Sequence, residues 1–284
     1  MSARRERVQG LALLAPSALA LGAVSLYPLG YAVWLSLERR ILVFGEERFI
    51  GLSNYAFLLR DGRFWSALGS TLYFTFAALA AELLLGLALA LLMNRAARGR
   101  GLVRAAVLVP WAIPTVVAAR VWAWLYNADY GLLSAALPPG ASWLGTPGVA
   151  MPAAILVDVW KTTPFVALLL LAGLQGIPDE LYQAARLDGA SAGRILWSVT
   201  LPLLRPVVAV TAVLRGLDAF RVFDAVYVLT GGGPANTTET LSIYAYKTLM
   251  RAGDFGYGNA LAVATFACAA LLAAVGLGLL RRRE

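Results

Sequence analysis

Apolar residues gather along this chain in six windows, near residues 11–37, 69–94, 103–126, 150–175, 203–229 and 258–280. Each reaches the length of about 20 residues that a helix needs to cross roughly 30 Å of hydrocarbon. The pattern predicts an all-α membrane protein with six transmembrane helices. Arg4, Arg5 and Arg7 precede the first window, and Ala18-Leu19-Ala20 within it has the look of a signal-peptide cleavage site. Its apolar run continues through Tyr31 to Leu37, too far for a signal peptide, so a retained helix is expected. Pro28, Pro110, Pro114 and Pro164 each remove an amide donor inside a window, which predicts kinks in the first, third and fourth spans. Small residues are dense from Ala260 to Gly278, which suits either close helix packing or a plain lipid-facing helix. No repeat and no polar linker divides the chain, so a single domain, 1–284, is expected.

The polar stretch between the fourth and fifth windows has its own pattern. Gly176 and Pro178 end the fourth span, and Asp179 and Glu180 then place carboxylates where a new helix dipole favours them. Leu181 to Leu187 makes two helical turns, and Asp188-Gly189 is a natural stop. A second short helix from Ser191 to Ser198 is expected to return the chain to Pro202, just inside the next span. From pattern alone this insert is either an interfacial amphipathic loop or a lever that a second protein grips.

Composition narrows the chemistry. The chain is 60% hydrophobic and 14% charged, with a mean hydropathy of +0.72, too little polar surface to cover a water-soluble globule. There is no His, and the one Cys, Cys268, lies in an apolar run. This excludes a disulfide within the chain and argues against zinc sites, haem ligation through His and His-based acid/base catalysis. The net charge of +8 is a matter of topology rather than of nucleic-acid binding. Arg4, Arg5, Arg7, Arg95, Arg98, Arg100, Arg104, Arg186, Arg194, Arg205 and Arg281 to Arg283 all fall in alternate loops. On the other side Arg39, Arg40, Arg48, Arg60, Arg63, Lys247 and Arg251 are matched by Glu38, Glu46, Glu47, Asp61, Asp129, Glu239 and Asp254. The Arg-rich side is therefore read as cytoplasmic, and it holds both termini and the insert.

Two motifs carry a family resemblance. Gln183, Ala184, Ala185, Gly189, Val199, Leu201 and Pro202 resemble the Glu-Ala-Ala loop of ABC importer permeases, departing from it at Gln183, where the family usually has Glu. The segment Asp218-Ala-Phe-Arg-Val-Phe-Asp-Ala-Val-Tyr-Val-Leu-Thr-Gly-Gly-Gly-Pro234, leading to Thr240-Leu241, is similar to maltose-type sugar permeases of the class with a Thr-Gly-Gly-Gly-Pro turn. Phe49-Ile-Gly-Leu-Ser-Asn-Tyr55 and Trp160-Lys-Thr-Thr-Pro-Phe165 fit the same class. The resemblance implies the type I ABC importer permease fold, with residues 178–201 as a cytoplasmic coupling loop. In that reading Gln183, Ala184, Ala185, Asp188 and Gly189 meet the ATPase, the small Ala side chains letting the first helix seat deeply.

The same resemblance implies the partners: a second, different permease chain, two ATP-binding subunits, an extracytoplasmic sugar-binding protein, membrane lipid, and a disaccharide such as trehalose or maltose. No Gly-x-x-x-x-Gly-Lys-Ser/Thr loop is present, so ATP and Mg are expected on the partner ATPase subunits, with no cofactor, metal or catalytic residue in this chain. A glycerol-phosphate or polyol importer is the alternative within the class. An ion-coupled secondary transporter and a membrane-embedded glycosyl-transferring enzyme are the rivals outside it.

Eight ionisable residues lie in or at the edges of the spans: Glu82, Arg120, Asp158, Lys161, Arg215, Asp218, Arg221 and Asp224. A charge at mid-bilayer costs about 2.5–3.5 kcal/mol on insertion scales, so these must face a polar interior or one another. Helical spacing puts Asp158, Lys161, Thr162 and Phe165 on one face before the insert, and Arg215, Asp218, Ala219 and Val222 on one face after it. By the resemblance these two faces line the sugar cavity, and Asp158, Lys161, Thr162, Phe165, Arg215 and Asp218 are the candidate substrate contacts. The alternative is that Asp158 and Lys161 pair with Asp218 and Arg215 only to hold helices together. Arg221 and Asp224 are expected in structural or gating pairs. Trp122, Trp124 and Tyr126 are expected in an interfacial aromatic belt, with Tyr126 and Asn127 as rim candidates.

Overall fold

The structure, a computed structural model, describes residues 3–95, 100–138 and 140–281. Arg98, Arg282 and Arg283 of the charge asymmetry lie outside them. In chain order the helices are α1 (Ala3–Ser36), α2 (Ser53–Arg60), α3 (Gly62–Arg95), α4 (Arg100–Ala112), α5 (Thr115–Leu125), α6 (Ala150–Gln175), α7 (Asp179–Leu187), α8 (Ala192–Ile195), α9 (Leu201–Phe220), α10 (Asp224–Thr230), α11 (Leu241–Tyr246) and α12 (Phe255–Arg281). Strands β1 (Glu38–Ile41) and β2 (Glu46–Phe49) form one antiparallel hairpin. Among the described residues five helices are long and apolar enough to cross a membrane, and a sixth span is supplied if α4 and α5 are taken together. The windows near 11–37 and 150–175 are met by α1 and α6, which run uninterrupted through Pro28 and Pro164.

Three expectations need correction. The third window is not a kinked helix but two helices bent by 88°. The break falls at Pro114, which is extended (φ −54°, ψ 136°) and caps α5, whereas Pro110 stays inside α4. The fifth window ends early: α9 stops at Phe220 and a separate α10 begins at Asp224, whose carboxylate suits a helix start. Thr240 Oγ1 donates to the Val222 carbonyl that this break frees, at 3.2 Å. Nor is there a separate helix from Ser191 to Ser198. Ser191 caps α8, but the chain then passes through a π turn, Leu196–Thr200, straight into α9, giving one apolar span from Ala192 to Phe220. The wider turn accommodates Pro202, which has no N–H to close an ordinary one.

Two compact units divide the chain, residues 1–64 with 244–266 and residues 65–243 with 267–284. In the first, the β-hairpin, absent from the sequence reading, is registered by Arg39 on Glu46 and Arg40 on Glu47, both at 2.7 Å. Gly45 turns it with φ 62°, a left-handed conformation that glycine adopts without strain. Asn54 Nδ2 donates to the Ser36 and Glu38 carbonyls at 2.8 and 2.9 Å, closing the end of α1. Between α2 and α3, Asp61 Oδ2 accepts the Tyr244 and Tyr257 hydroxyls, each at 2.6 Å.

The second unit is built around α6, which is buried along most of its length. Its N-terminal half packs with Phe74, Ala119, Val226 and Ile243, and its C-terminal half with Ala90, Met93 and Leu204. Two glycines set how closely helices approach it. A Cβ on Gly86 of α3 would lie 2.6 Å from Val166 Cγ1, and one on Gly173 would lie 2.8 Å from Leu204 Cδ1 and 2.9 Å from a Val207 methyl. In the small-residue segment of α12, Gly276 gives the same close approach to Val213. The Thr-Gly-Gly-Gly-Pro stretch is an ordered turn after α10, in which Thr238 Oγ1 bonds Thr230 Oγ1 and the Gly233 carbonyl, both at 2.7 Å.

Candidate functional site

Glu82 sits in the middle of α3, and its helical neighbours Ala78, Leu79, Leu85 and Gly86 offer no cation. The partner has to come from another helix, and it is Arg215 of α9, 133 residues away. Arg215 Nε donates to Glu82 Oε2 and Nη2 to Oε1, both at 2.7 Å, a two-pronged pair in which Glu82 is 0% and Arg215 3% exposed. Nη2 also reaches Asp158 Oδ2 at 3.2 Å and Thr162 Oγ1 at 3.3 Å, both on α6. Nη1 donates to Asp218 Oδ2 at 2.5 Å, one turn along α9. The Thr162 hydroxyl lies 2.6 Å from both Glu82 Oε1 and the Asp158 carbonyl, either of which it serves as donor. One guanidinium thus ties α3, α6 and α9 together through three carboxylates.

Exposure grades across this cluster. Asp158 is 12% exposed, and Asp218 is 61% exposed. On the open side Arg221 Nη2 stands 3.5 Å from Asp218 Oδ1, too long for a firm hydrogen bond, and its side chain is exposed. Asp218 therefore has one oxygen held from behind and the other turned toward open space beside a second guanidinium. Such a pair can accept from and donate to neighbouring hydroxyl groups of a polar ligand.

Four of the six candidate substrate residues, Asp158, Thr162, Arg215 and Asp218, meet in this cluster. Lys161 is half-buried and takes no part in its ion pairs among the described residues. Phe165, a turn further along α6, stacks on Trp111 of α4 with ring centroids 5.7 Å apart and planes at 13°. Asp158 does take Arg215, but Asp218 takes Arg215 as well rather than Lys161, and the further partner is Glu82, which stood among the intramembrane charges without an assigned partner. The signal that finds it is a lone acid in the centre of a long apolar helix.

Val222 does not share the Arg215 face, because α9 has ended before it. Arg221 pairs back onto Asp218, and Asp224 opens α10, exposed. Tyr126 is not part of an aromatic belt: it is buried, stacked on Trp143 at 5.1 Å, and donates its hydroxyl to the Ala153 carbonyl. Asn127 spends its side-chain oxygen on a turn, accepting from the Asp129 amide at 2.9 Å. Among the described residues no group of His, Cys, Asp and Glu is arranged to hold a metal ion.

The insert forms a second candidate site. Asp179 and Glu180 lie in the first turn of α7, and Arg186 in its last. The stop at Gly189 is a Schellman motif: Gly189 N–H donates to the Arg186 carbonyl at 3.0 Å and Ala190 N–H to the Ala185 carbonyl at 2.9 Å, with Gly189 at φ 74°. Asp188 caps the helix just before it. Gln183, Ala184, Leu181 and Leu187 are exposed and Ala185 half-buried, so α7 presents an apolar surface with small side chains at its middle. Gln183 also lines a cavity of about 740 Å³ with Asn94, Asp179, Tyr182, Arg186 and Thr200. The Tyr182 and Thr200 hydroxyls meet across it at 3.5 Å.

Residues 82–283 match the family described as binding-protein-dependent transport system inner membrane component. The chain is 44% identical over 266 residues, 92% of its length and 90% of the relative's, to the trehalose/maltose transport system permease protein MalF of Thermococcus litoralis. It is 45% identical over 269 residues, 94% of its length and 87% of the relative's, to the trehalose transport system permease protein SugA of Mycobacterium tuberculosis. Among solved structures, a chain of a bacterial alginate ABC transporter in complex with alginate pentasaccharide-bound periplasmic protein superposes with a TM-score of 0.83, at 22% identity over 98% of this chain and 96% of that one.

Proposed function

This chain belongs to the family of binding-protein-dependent transport system inner membrane components, and we propose that it is the permease subunit of an ATP-driven importer of a disaccharide such as trehalose or maltose. The observation that carries this reading is the 44% identity, spread over 92% of the chain, to a trehalose/maltose permease. The chain is a multi-pass inner-membrane permease rather than an enzyme. In our reading residues 1–284 act as one permease domain and 178–201 as its coupling loop. A second permease chain of different sequence completes the pathway. Two ATP-binding subunits, which bind the ATP and Mg, each grip one insert, and an extracytoplasmic binding protein delivers the sugar. The alginate transporter crystallised with its loaded periplasmic protein supports the last of these by analogy of fold. The Arg-rich loops support a cytoplasmic insert and cytoplasmic termini.

In this reading ATP binding draws the two ATPase subunits together, and the inserts move with them. The helices then open outward, and hydrolysis reverses the motion. Sugar is moved because its contacts differ between the two states, not by any covalent step. Asp218, flanked by Arg221, is the contact we assign to sugar hydroxyls. Lys161 and Phe165 stand further along the wall, and Asp158, Thr162 and Arg215 serve as its frame. The glycerol-phosphate alternative needs cations free to take a phosphate. Of the two cations that could serve a phosphate, Lys161 and Arg215, Arg215 is buried against three carboxylates and is not free.

Uptake of labelled trehalose, maltose and glycerol phosphate by the reconstituted complex tests the assignment. Trehalose or maltose entering only with ATP and binding protein is the expected result. Uptake of glycerol phosphate alone, or uptake driven by an ion gradient without ATP, overturns it.

A further inference from the structure

Glu82 is fully buried, yet its partner Arg215 also holds Asp218, whose side chain is largely exposed. The Arg215 guanidinium has two two-nitrogen edges, Nε with Nη2 and Nη1 with Nη2. Glu82 occupies the Nε–Nη2 edge with both of its oxygens, at 2.7 Å each, and Asp158 and Thr162 also face Nη2, at 3.2 and 3.3 Å, so Asp218 is held through Nη1 alone, on Oδ2. Were the Nε–Nη2 edge vacated, Arg215 would be free to turn it toward Asp218 and take both carboxylate oxygens in the fork geometry that guanidinium and carboxylate prefer. Asp218 Oδ1 would then be covered by protein. Its charge would also be better neutralised, since Arg215 would answer to two carboxylates in place of three. Both changes weaken Asp218 as an acceptor for a hydroxyl group.

We propose that Glu82 is a positioning residue for substrate recognition: by holding Arg215 edge-on it keeps Asp218 Oδ1 uncovered, charged and fixed in direction for a sugar hydroxyl. The proposal rests on the reading that Asp218 meets the sugar, and it adds a residue on a third helix, α3, to the determinants of affinity. It also separates two roles inside one cluster. Asp158, with one longer contact at 3.2 Å from Nη2, helps to hold the helices, whereas Glu82, with two at 2.7 Å, sets how the guanidinium is turned toward Asp218. Glu82→Gln is a mild probe of this role. It removes a negative charge from a cluster that has three, and Arg215 keeps Asp158 and Asp218 as partners.

The experiment measures retention of labelled trehalose and of labelled maltose by the purified complex, with its ATP-binding subunits and binding protein, trapped with a non-hydrolysable ATP analogue. Glu82→Gln and Asp218→Asn are expected each to raise the half-saturating concentration of the retained sugar by about tenfold. The double variant is expected to raise it no further than the worse single one, because both act on the same contact. Wild-type affinity in Glu82→Gln, with the Asp218→Asn effect intact, overturns the positioning role and leaves the sugar reading standing. Multiplication to about a hundredfold in the double variant also overturns it, since the two residues then act separately. Wild-type affinity in Asp218→Asn overturns the sugar contact and the positioning role together. If Glu82→Gln does not assemble, Thr162→Val takes its place in the cycle. It removes the hydroxyl 2.6 Å from Glu82 Oε1 and leaves the carboxylate, and a smaller, non-additive loss of affinity is expected.

Discussion

Replacing Arg215 with Met should destabilise this protein by about 3–5 kcal/mol, the cost of removing one partner from a buried ion pair. Glu82 is fully buried, and both of its oxygens rest on Arg215 at 2.7 Å, so Arg215→Met leaves a carboxylate in a dry interior beside the Thr162 hydroxyl and the Asp158 carboxyl, with its counter-charge gone. A hydrogen bond to a charged group contributes roughly 1.5–3 kcal/mol, less than the counter-charge that is lost. The double variant Arg215→Met, Glu82→Met should recover most of the loss, because an apolar pair of similar volume in place of a buried ion pair is often neutral. Asp158 and Asp218 remain without Arg215 in that variant, but Asp218 is largely exposed and Asp158 made the longer contact, 3.2 Å, so the residual cost is smaller. Thermal unfolding of the solubilised complex, followed by size-exclusion fluorescence, reads both changes. The expected order of stability is wild type, then the double variant, then Arg215→Met. A single variant within about 1 kcal/mol of wild type, or a double variant less stable than the single, would refute the reasoning, because independent losses can only accumulate.

Other consequences follow from smaller features. At Gly189, φ 74° costs an L residue about 1–2 kcal/mol and Pro cannot adopt it, so Gly189→Pro should break the end of α7 and leave ATP hydrolysis running without uptake; normal uptake in that variant would contradict a coupling role. Cysteine at Ala184 should cross-link to the ATP-binding subunit in membranes, and capture of no such subunit would count against α7 as the docking helix. Gly173→Val should lower the unfolding temperature, since its side chain would enter the space of Leu204 and Val207 at a cost of about 1–3 kcal/mol; an unchanged melting curve would show that α6 and α9 are not held at that spacing. Burial acts to raise the Asp61 carboxyl, but hydrogen bonds from Tyr244 and Tyr257 outweigh it and hold it below the ordinary 3.8, while burial and then Asp61 push Tyr244 up to about 12. The stability this contact gives is therefore whole between 3.8 and 10.0, and is lost as pH falls through the lowered carboxyl value or rises toward 12; Asp61→Asn should flatten the acid limb of a stability profile, and an unaltered limb would remove Asp61 from it.

The parts of this fold that follow from periodicity were legible, and the parts that follow from pairing were not. The window near 150–175 is α6 to the residue, because its ends are marked by Gly176 and Pro178 on one side and by a Gly/Pro-rich stretch on the other. The Gln-Ala-Ala insert and the Thr-Gly-Gly-Gly-Pro turn led to the right family because both are local patterns. A hydropathy window cannot see the 88° break at Pro114, since the residues on both sides stay apolar. The same blindness carried the fifth span past Phe220, although Asp224 is a helix-start signal once a break is sought. Glu82 and Arg215 are 133 residues apart, and no local spacing joins them. What the sequence offers is an obligation: each lone charge in an apolar helix needs a partner, and charges three apart on one helix are only the nearest possibility. Pairing Asp158 and Lys161 with Asp218 and Arg215 met that obligation across two helices, whereas the structure leaves Lys161 out and brings in Glu82 from a third.

The placement of the two sites suggests how they are joined. The insert is held between α6, which leads into it through Gly176 to Pro178, and the continuous span from Ala192 that becomes α9. These same two helices carry Asp158 with Thr162 and Arg215 with Asp218, so both arms that leave the insert meet again in one ion cluster. From Ala192 to Arg215 is roughly 35 Å of helix at 1.5 Å per residue, and Leu204 and Val207 lie against Gly173 part-way along it. Only short turns, residues 176–178 and 188–191, separate α7 from these two arms. Because α6 and α9 are clamped through Arg215 to Glu82 of α3, relative movement of the arms must either carry α3 along or strain a buried, charge-assisted contact. In the proposed reading, that choice would couple a small motion at the insert to the open face of Asp218, without a dedicated chain of intermediary residues.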